Sequence, residues 1–189
     1  MDRLDVPVSH VIGTVALILL VASVASYFVM TVSHVHAEIL RQQLKEVANY
    51  ISANLMEIIA LLHFIDILYN TTMFKVINLP PDISGYLYVV EVGGEEAYKK
   101  GAQIRLYLLS KSDVEVFLRL PLETVGTSIK LFTVNDGATS LLARNGLIRP
   151  SGRLYSSHNN IVVWGWKENA TSIWAGIGFL EAKDNATYI

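Results

Sequence analysis

The chain has 189 residues, a formal net charge of −2 and no cysteine; 52% of its residues are hydrophobic and only 17% are charged. Soluble domains run nearer ~25% charged, so an apolar segment must be set apart from the rest. The charge balance excludes the strongly basic surface of a nucleic-acid binder, and the lack of cysteine excludes disulfides, thiolate nucleophiles and cysteine-ligated metal.

The apolar excess is N-terminal. Val6 to Val32 is a run of 27 residues without Asp, Glu, Lys or Arg. About 20 residues cross the ~30 Å hydrocarbon layer, so the run predicts a transmembrane helix. It exceeds the ~7–15 apolar residues of a secretory signal. Arg3 between Asp2 and Asp5 gives almost no orientation signal under the positive-inside rule. Small residues recur along the span (Gly13, Ala16, Ala22, Ser23, Ala25, Ser26), and such residues let helices approach closely. Tyr27 and Phe28 fit an aromatic belt near its end.

No Gly or Pro interrupts the chain after this span until Pro80. Leu40, Leu44, Val47, Ile51, Leu55, Ile58, Leu62, Ile65 and Tyr69 recur at steps of three or four, a helical stripe. Arg41, Gln42, Lys45, Glu46 and Asn49 form the wetter face. Ile39, Ile59, Leu61 and Phe64 make the apolar face wider than a two-stranded coiled-coil seam. One helix of roughly 60 residues, ~90 Å long, is expected from Val8 to Tyr69. Gly13 and the stripe Leu40 to Ile65 are its expected assembly face. His34 and His36 are two apart on a helix and point to different sides, which suits interfacial polar groups better than a shared metal. His63 is expected among packed side chains.

Asn70-Thr71-Thr72 follows the helix, Asn78-Leu79-Pro80-Pro81-Asp82 ends any helical possibility nearby, and from Met73 onward the pattern changes to period two. Period-two alternation predicts strands at Tyr86–Val92, Ala102–Leu108, Val114–Leu120, Ser128–Val134, Ser140–Ala143, Ile161–Trp166 and Ser172–Leu180. Turns are expected at Gly93-Gly94, Asn135-Asp136-Gly137, Asn145-Gly146 and Lys167-Glu168-Asn169. The fold class is α+β: one long N-terminal transmembrane and amphipathic helix, then an antiparallel β-sandwich. The expected segments are 1–33 (leader and span), 34–70 (amphipathic continuation) and 71–189 (extracytoplasmic β-sandwich). Trp164, Trp166 and Trp174 form either an aromatic binding shelf or, more simply, part of a β core.

The sequence has no nucleotide loop, no His-Glu-x-x-His and no Gly-x-Ser-x-Gly. The nearest catalytic cluster, Ser156-Ser157-His158-Asn159-Asn160, lacks a neighbouring acid to orient the histidine. The carboxylates are scattered. No enzyme activity, catalytic residue, cofactor, metal, nucleic acid or small-molecule substrate is therefore expected. Three sequons, at Asn70, Asn169 and Asn185, lie at expected boundaries or loops and read as N-glycan acceptors on an outward-facing head.

The opening Val8-Ser9-His10-Val11-Ile12-Gly13-Thr14-Val15-Ala16 resembles that of archaeal type IV pilin-like proteins, which often read Ser-Pro-Val-Ile-Gly before small and aliphatic residues. The layout is similar over the whole chain; the specific match covers about the first 30 residues. Two positions depart from the pattern: His10 stands where the family usually has proline, and Leu4 to Pro7 follow Arg3 where a small residue usually precedes the processing site. The resemblance implies a Ig-like or pilin-like head, a cut between Arg3 and Ser9, and a structural subunit, major or minor, of a cell-surface filament with a role in adhesion. Its partners would be itself, other pilin-like subunits and the membrane, in an archaeal cell. Two other readings remain: a permanently anchored β-sandwich binding module contacting the envelope, an S-layer or a motor or secretion complex, and, last, an exported enzyme.

Overall fold

The computed structural model describes residues 5–64, 71–93, 102–122, 127–133 and 148–180, with side chains from residue 10 onward. Among the described residues one helix, α1 (Asp5–Phe64), precedes nine strands. It starts three residues before the expected Val8; Pro7 sits in its first turn, where a missing N–H costs no helical bond. Its expected last residues, Ile65 to Tyr69, lie outside the described residues. The chain divides into two compact units, Met1–Ile39 and Leu40–Ile189.

In the first unit the helix carries its own backbone hydrogen bonds. Thr14, Ser23 and Thr31 return their hydroxyls to the carbonyls of His10, Leu19 and Tyr27. Each of these three hydroxyls is thereby satisfied inside the helix, as apolar surroundings require.

The second unit combines the rest of α1 with two sheets. The first contains β1 (Thr71–Val76), β8 (Ile161–Asn169), β9 (Ser172–Leu180), β5 (Ser128–Leu131) and β6 (Ile148–Ser151), in the order β1-β8-β9-β5 with β6 also on β9. The second runs β4 (Glu115–Arg119), β3 (Gln103–Leu108), β2 (Tyr88–Val92), β7 (Arg153–Tyr155). All pairings are antiparallel except β5 with β9. The head is thus mixed where the sequence pattern predicted purely antiparallel strands. The outer edge of β9 is shared: its first half pairs β5 and its second half pairs β6. The expected strand at Ser140–Ala143 lies outside the described residues. Strand β8 continues through Asn169, so the turn falls at Ala170-Thr171, after the Lys167-Glu168-Asn169 predicted for it.

Register explains the burial. In the first sheet Gly165 pairs Ala175 and Val163 pairs Ile177, and these face α1. The approach is close: a Cβ added to Gly165 would lie 2.6 Å from Leu62 Cδ1 and 2.9 Å from Ile58 Cγ2. The opposite face carries Val162 and Trp164, packed with Phe132 and Ile148. The Trp164 ring meets Phe132 edge-on and its Nε1 donates to Ile177 O. Gly176 leaves room for that ring, since an added Cβ would stand 3.1 Å from Trp164 Cζ2. In the second sheet Tyr88, Val90, Val92, Ile104, Leu106, Leu108 and Leu154 share the inner face and are buried. Polar contacts that tie α1 to this framework include Arg41 to Asp113 O, Ser84 to Gln43, and Lys75 to Glu57 at 2.7 Å. Between Ile83 and Tyr86, Ser84 and Gly85 both take positive φ, the geometry of a two-residue hairpin turn, and Asp82 accepts from Gly85 N–H.

Candidate functional site

Among the described residues the helix carries a long run of exposed apolar side chains. From Val11 to Val35 its large apolar side chains are 50–74% exposed. From Leu40 onward the stripe is covered: Leu40, Leu44, Val47, Ile51, Leu55, Ile58 and Leu62 are 0–9% exposed. These seven were expected on the assembly face; the structure buries them inside the subunit, because the sheets of its own head supply the partner surface. Ile65, the last of the set, lies outside the described residues. Gly13 does lie in the uncovered part, and nothing stands within 4 Å of the place its Cβ would take. His63 is exposed, its ring edge-on to Phe64, rather than packed in the core.

A second surface is the outer face of the four-stranded sheet. Cross-strand register sets Arg153, Glu91, Arg105 and Phe117 in one row, and Tyr155, Val89, Tyr107 and Glu115 in the next. Glu91 is only 4% exposed. Its carboxylate accepts from Arg153 Nε at 2.6 Å and from the Tyr107 hydroxyl at 3.2 Å, and stands 3.6 Å from Arg105. Arg105 also donates through Nε and Nη2 to Glu115, and its guanidinium lies over the rings of Tyr107 and Phe117. Burial first, then the Glu91 charge, raises the Tyr107 pKa. Burial works against the charge on Arg153, but Glu91 outweighs it and the guanidinium pKa is raised. The positive and negative charges alternate and neutralise one another. Around them Leu87, Leu109, Phe117 and Tyr155 remain 40–52% exposed. The rim of this face is thus amphipathic, while Val89 and Glu91 at its centre are buried. The sequence showed Val89, Glu91, Arg105, Tyr107, Glu115 and Phe117 only as one phase of a strand pattern and did not mark Arg153 or Tyr155; the pairing that joins them is non-local.

The Ser156 to Asn160 cluster has structural work. Ser156 Oγ accepts from Tyr88 N–H, and Ser156 N–H returns a bond to Tyr88 O. His158 Nδ1 accepts from Tyr155 N–H, and its ring stacks on Tyr155 and leans on Phe179. Asn160 takes a positive φ at the entry to β8. The three tryptophans belong to one packed cluster rather than an open shelf. Trp164 is buried, Trp166 is half-buried, and Trp174 donates to Glu168 while Lys130 lies over its ring. Among the described residues no group of three His, Asp or Glu is disposed to hold a metal ion. Of the three sequons, Asn169 is exposed at the β8–β9 turn, whereas Asn70 and Asn185 lie outside the described residues.

The helix is long and apolar enough to cross a membrane. The chain matches no family model, no curated protein and no solved structure.

Proposed function

We propose that this chain is a membrane-anchored, pilin-like structural subunit whose exposed N-terminal helix assembles with copies of itself or with other pilin-like subunits into a surface filament. The observation that carries this reading is the change in burial along one unbroken helix. Fifteen large apolar side chains between Val11 and Val35 are half or more exposed. At about 1 kcal/mol each for such partial exposure, leaving them in water costs on the order of 15 kcal/mol. That equals or exceeds the ~5–15 kcal/mol net stability of a domain. Lipid covers this surface in the anchored state, and neighbouring helices cover it in an assembly. A rotation plus a translation that does not close repeats the same contact into a fibre. Gly13 and the small residues near it favour close helix approach.

A second reading, a permanently anchored binding module, is favoured by the amphipathic outer face of the four-stranded sheet. The two separate on the mass of the mature N-terminal peptide, measured in native membranes and in material sheared from the cell surface. A chain starting between Leu4 and Ser9 in the sheared fraction is expected. An intact Met1 found only in membranes overturns the filament reading and leaves the anchored module.

A further inference from the structure

The β8–β9 turn brings together features that a sequence motif alone does not supply. Asn169, Ala170 and Thr171 are all exposed. Asn169 Oδ1 accepts from Thr171 N–H at 2.9 Å and from the Thr171 hydroxyl at 3.2 Å. These bonds fix the side-chain amide by its oxygen, and among the described residues nothing accepts from its nitrogen. Among the described residues the Nδ2 is therefore open to a large substituent.

The sheet register adds a second observation. Thr71 pairs Lys167 and Thr72 pairs Trp166, so the hydroxyl residues of the sequon at Asn70 enter the sheet beside the strand that ends at Asn169. Two sequons about a hundred positions apart in the chain thus have residues at one end of one sheet. Within the head, that end lies toward the C-terminus of α1 and away from Leu40: Glu57 reaches Lys75, and Leu62 abuts Gly165.

We propose that Asn169 Nδ2 is a glycan attachment site, taking an oligosaccharide from a lipid carrier linked through phosphate or diphosphate. In the transfer Nδ2 attacks the anomeric carbon of the first sugar. The C–N bond forms as the bond from that carbon to the phosphate oxygen breaks. The bonding pair departs with the lipid phosphate, and the Nδ2 proton passes to a base of the transferase. Thr171 supplies the hydroxyl two residues on that acceptor recognition requires. The sugar then covers the end of the head away from Leu40 with a hydrated layer. The inference rests on the outward-facing head of the reading above.

The test is mass spectrometry of the tryptic peptide 168–183, which contains Asn169 but not Asn185, from full-length protein purified from its native membranes. The expected result is a sugar mass on Asn169 that is lost in Asn169→Asp and in Thr171→Ala and kept in Thr171→Ser. Asn169→Asp retains the oxygen that accepts from Thr171 and removes only the nitrogen that would be modified, so its thermal unfolding should match the wild type. A protease added to whole cells reports where the head lies. A bare Asn169 in a head that this protease cuts overturns the glycan site alone. A bare Asn169 in a protected head overturns the outward-facing reading with it. A sugar mass that persists in Asn169→Asp also overturns the assignment.

Discussion

Replacing Leu55 with alanine should destabilise the head strongly, while the same change at Leu19 should leave head stability untouched. Both are leucines on one continuous helix. Leu55 is 0% exposed, in a stretch with Ile51, Ile58, Ile59 and Leu62 all nearly inaccessible; Leu19 is 62% exposed. A buried Leu→Ala change costs ~2–5 kcal/mol, the larger values arising where the surroundings cannot collapse. The close contact of Leu62 and Ile58 with Gly165 limits collapse here, which places the cost near ~3.5 kcal/mol. At ~2–4 °C per kcal/mol for a unit of this size, the midpoint should fall by about 7–14 °C. The assay is thermal unfolding of the full chain in mild detergent, followed by near-ultraviolet circular dichroism, to which the buried Trp164 contributes. Leu19→Ala should shift that transition by no more than about 1 °C while weakening assembly. Equal shifts in the two variants, or an unchanged Leu55→Ala midpoint, would refute the claim that the stripe beyond Leu40 is head core.

Two further outcomes follow from single contacts. Gly165→Val should destabilise the head by about 3 kcal/mol, because the added Cβ alone meets Leu62 Cδ1 at 2.6 Å and overpacking costs ~1–3 kcal/mol or more; in denaturant titrations Gly165→Ala with Leu62→Ala should cost less than the sum of the single changes, and strict additivity would show that helix and strand do not meet there. Stability should also fall steeply in alkali. Tyr88 is raised above its ordinary value of 10.0 by burial and then by the Asp82 charge, and Tyr107 by burial and then by Glu91. A raised pKa in the folded state favours the neutral phenol there, so this contribution is complete below pH 10 and drains away as pH climbs beyond it. Tyr88→Phe removes the bond to Pro80 O, lowering the midpoint at pH 8 by the equivalent of about 1 kcal/mol, yet its decline between pH 9.5 and 11.5 should be shallower than that of the wild type. Parallel curves would exclude Tyr88 as a source of the alkaline loss.

Much of the local structure is legible without coordinates. Strand β9 runs from Ser172 to Leu180, the bounds its alternation predicts, and β2, β3 and β4 fall within one or two residues of theirs. These strands carry β-branched and aromatic residues at period two, a pattern that no helix shares. Strand β6 is hidden because Pro150 interrupts its pattern; it pairs only with β9, at the sheet's edge, where a missing N–H is tolerated. Strand β7 has three residues, too few to show a period. The sequence likewise marks Asn169-Ala170-Thr171 as a sequon, but the exposed turn that holds its side-chain oxygen depends on where β8 stops.

What the sequence determined by itself was everything set by neighbours along the chain: a charge-free span of bilayer length, an unbroken helix, and strands that alternate. Tertiary structure decided what covers each apolar face. One apolar helix runs from the span into the head, yet its large apolar side chains from Val11 to Val35 are exposed while the stripe from Leu40 to Leu62 is buried. It also decided that Glu91, Arg105, Glu115 and Arg153 form one network, and that β5 runs parallel to β9. The physical reason is the same in each case. Hydrophobic burial and cross-strand pairing depend on which surfaces meet in space, and those partners lie tens of residues away in the chain.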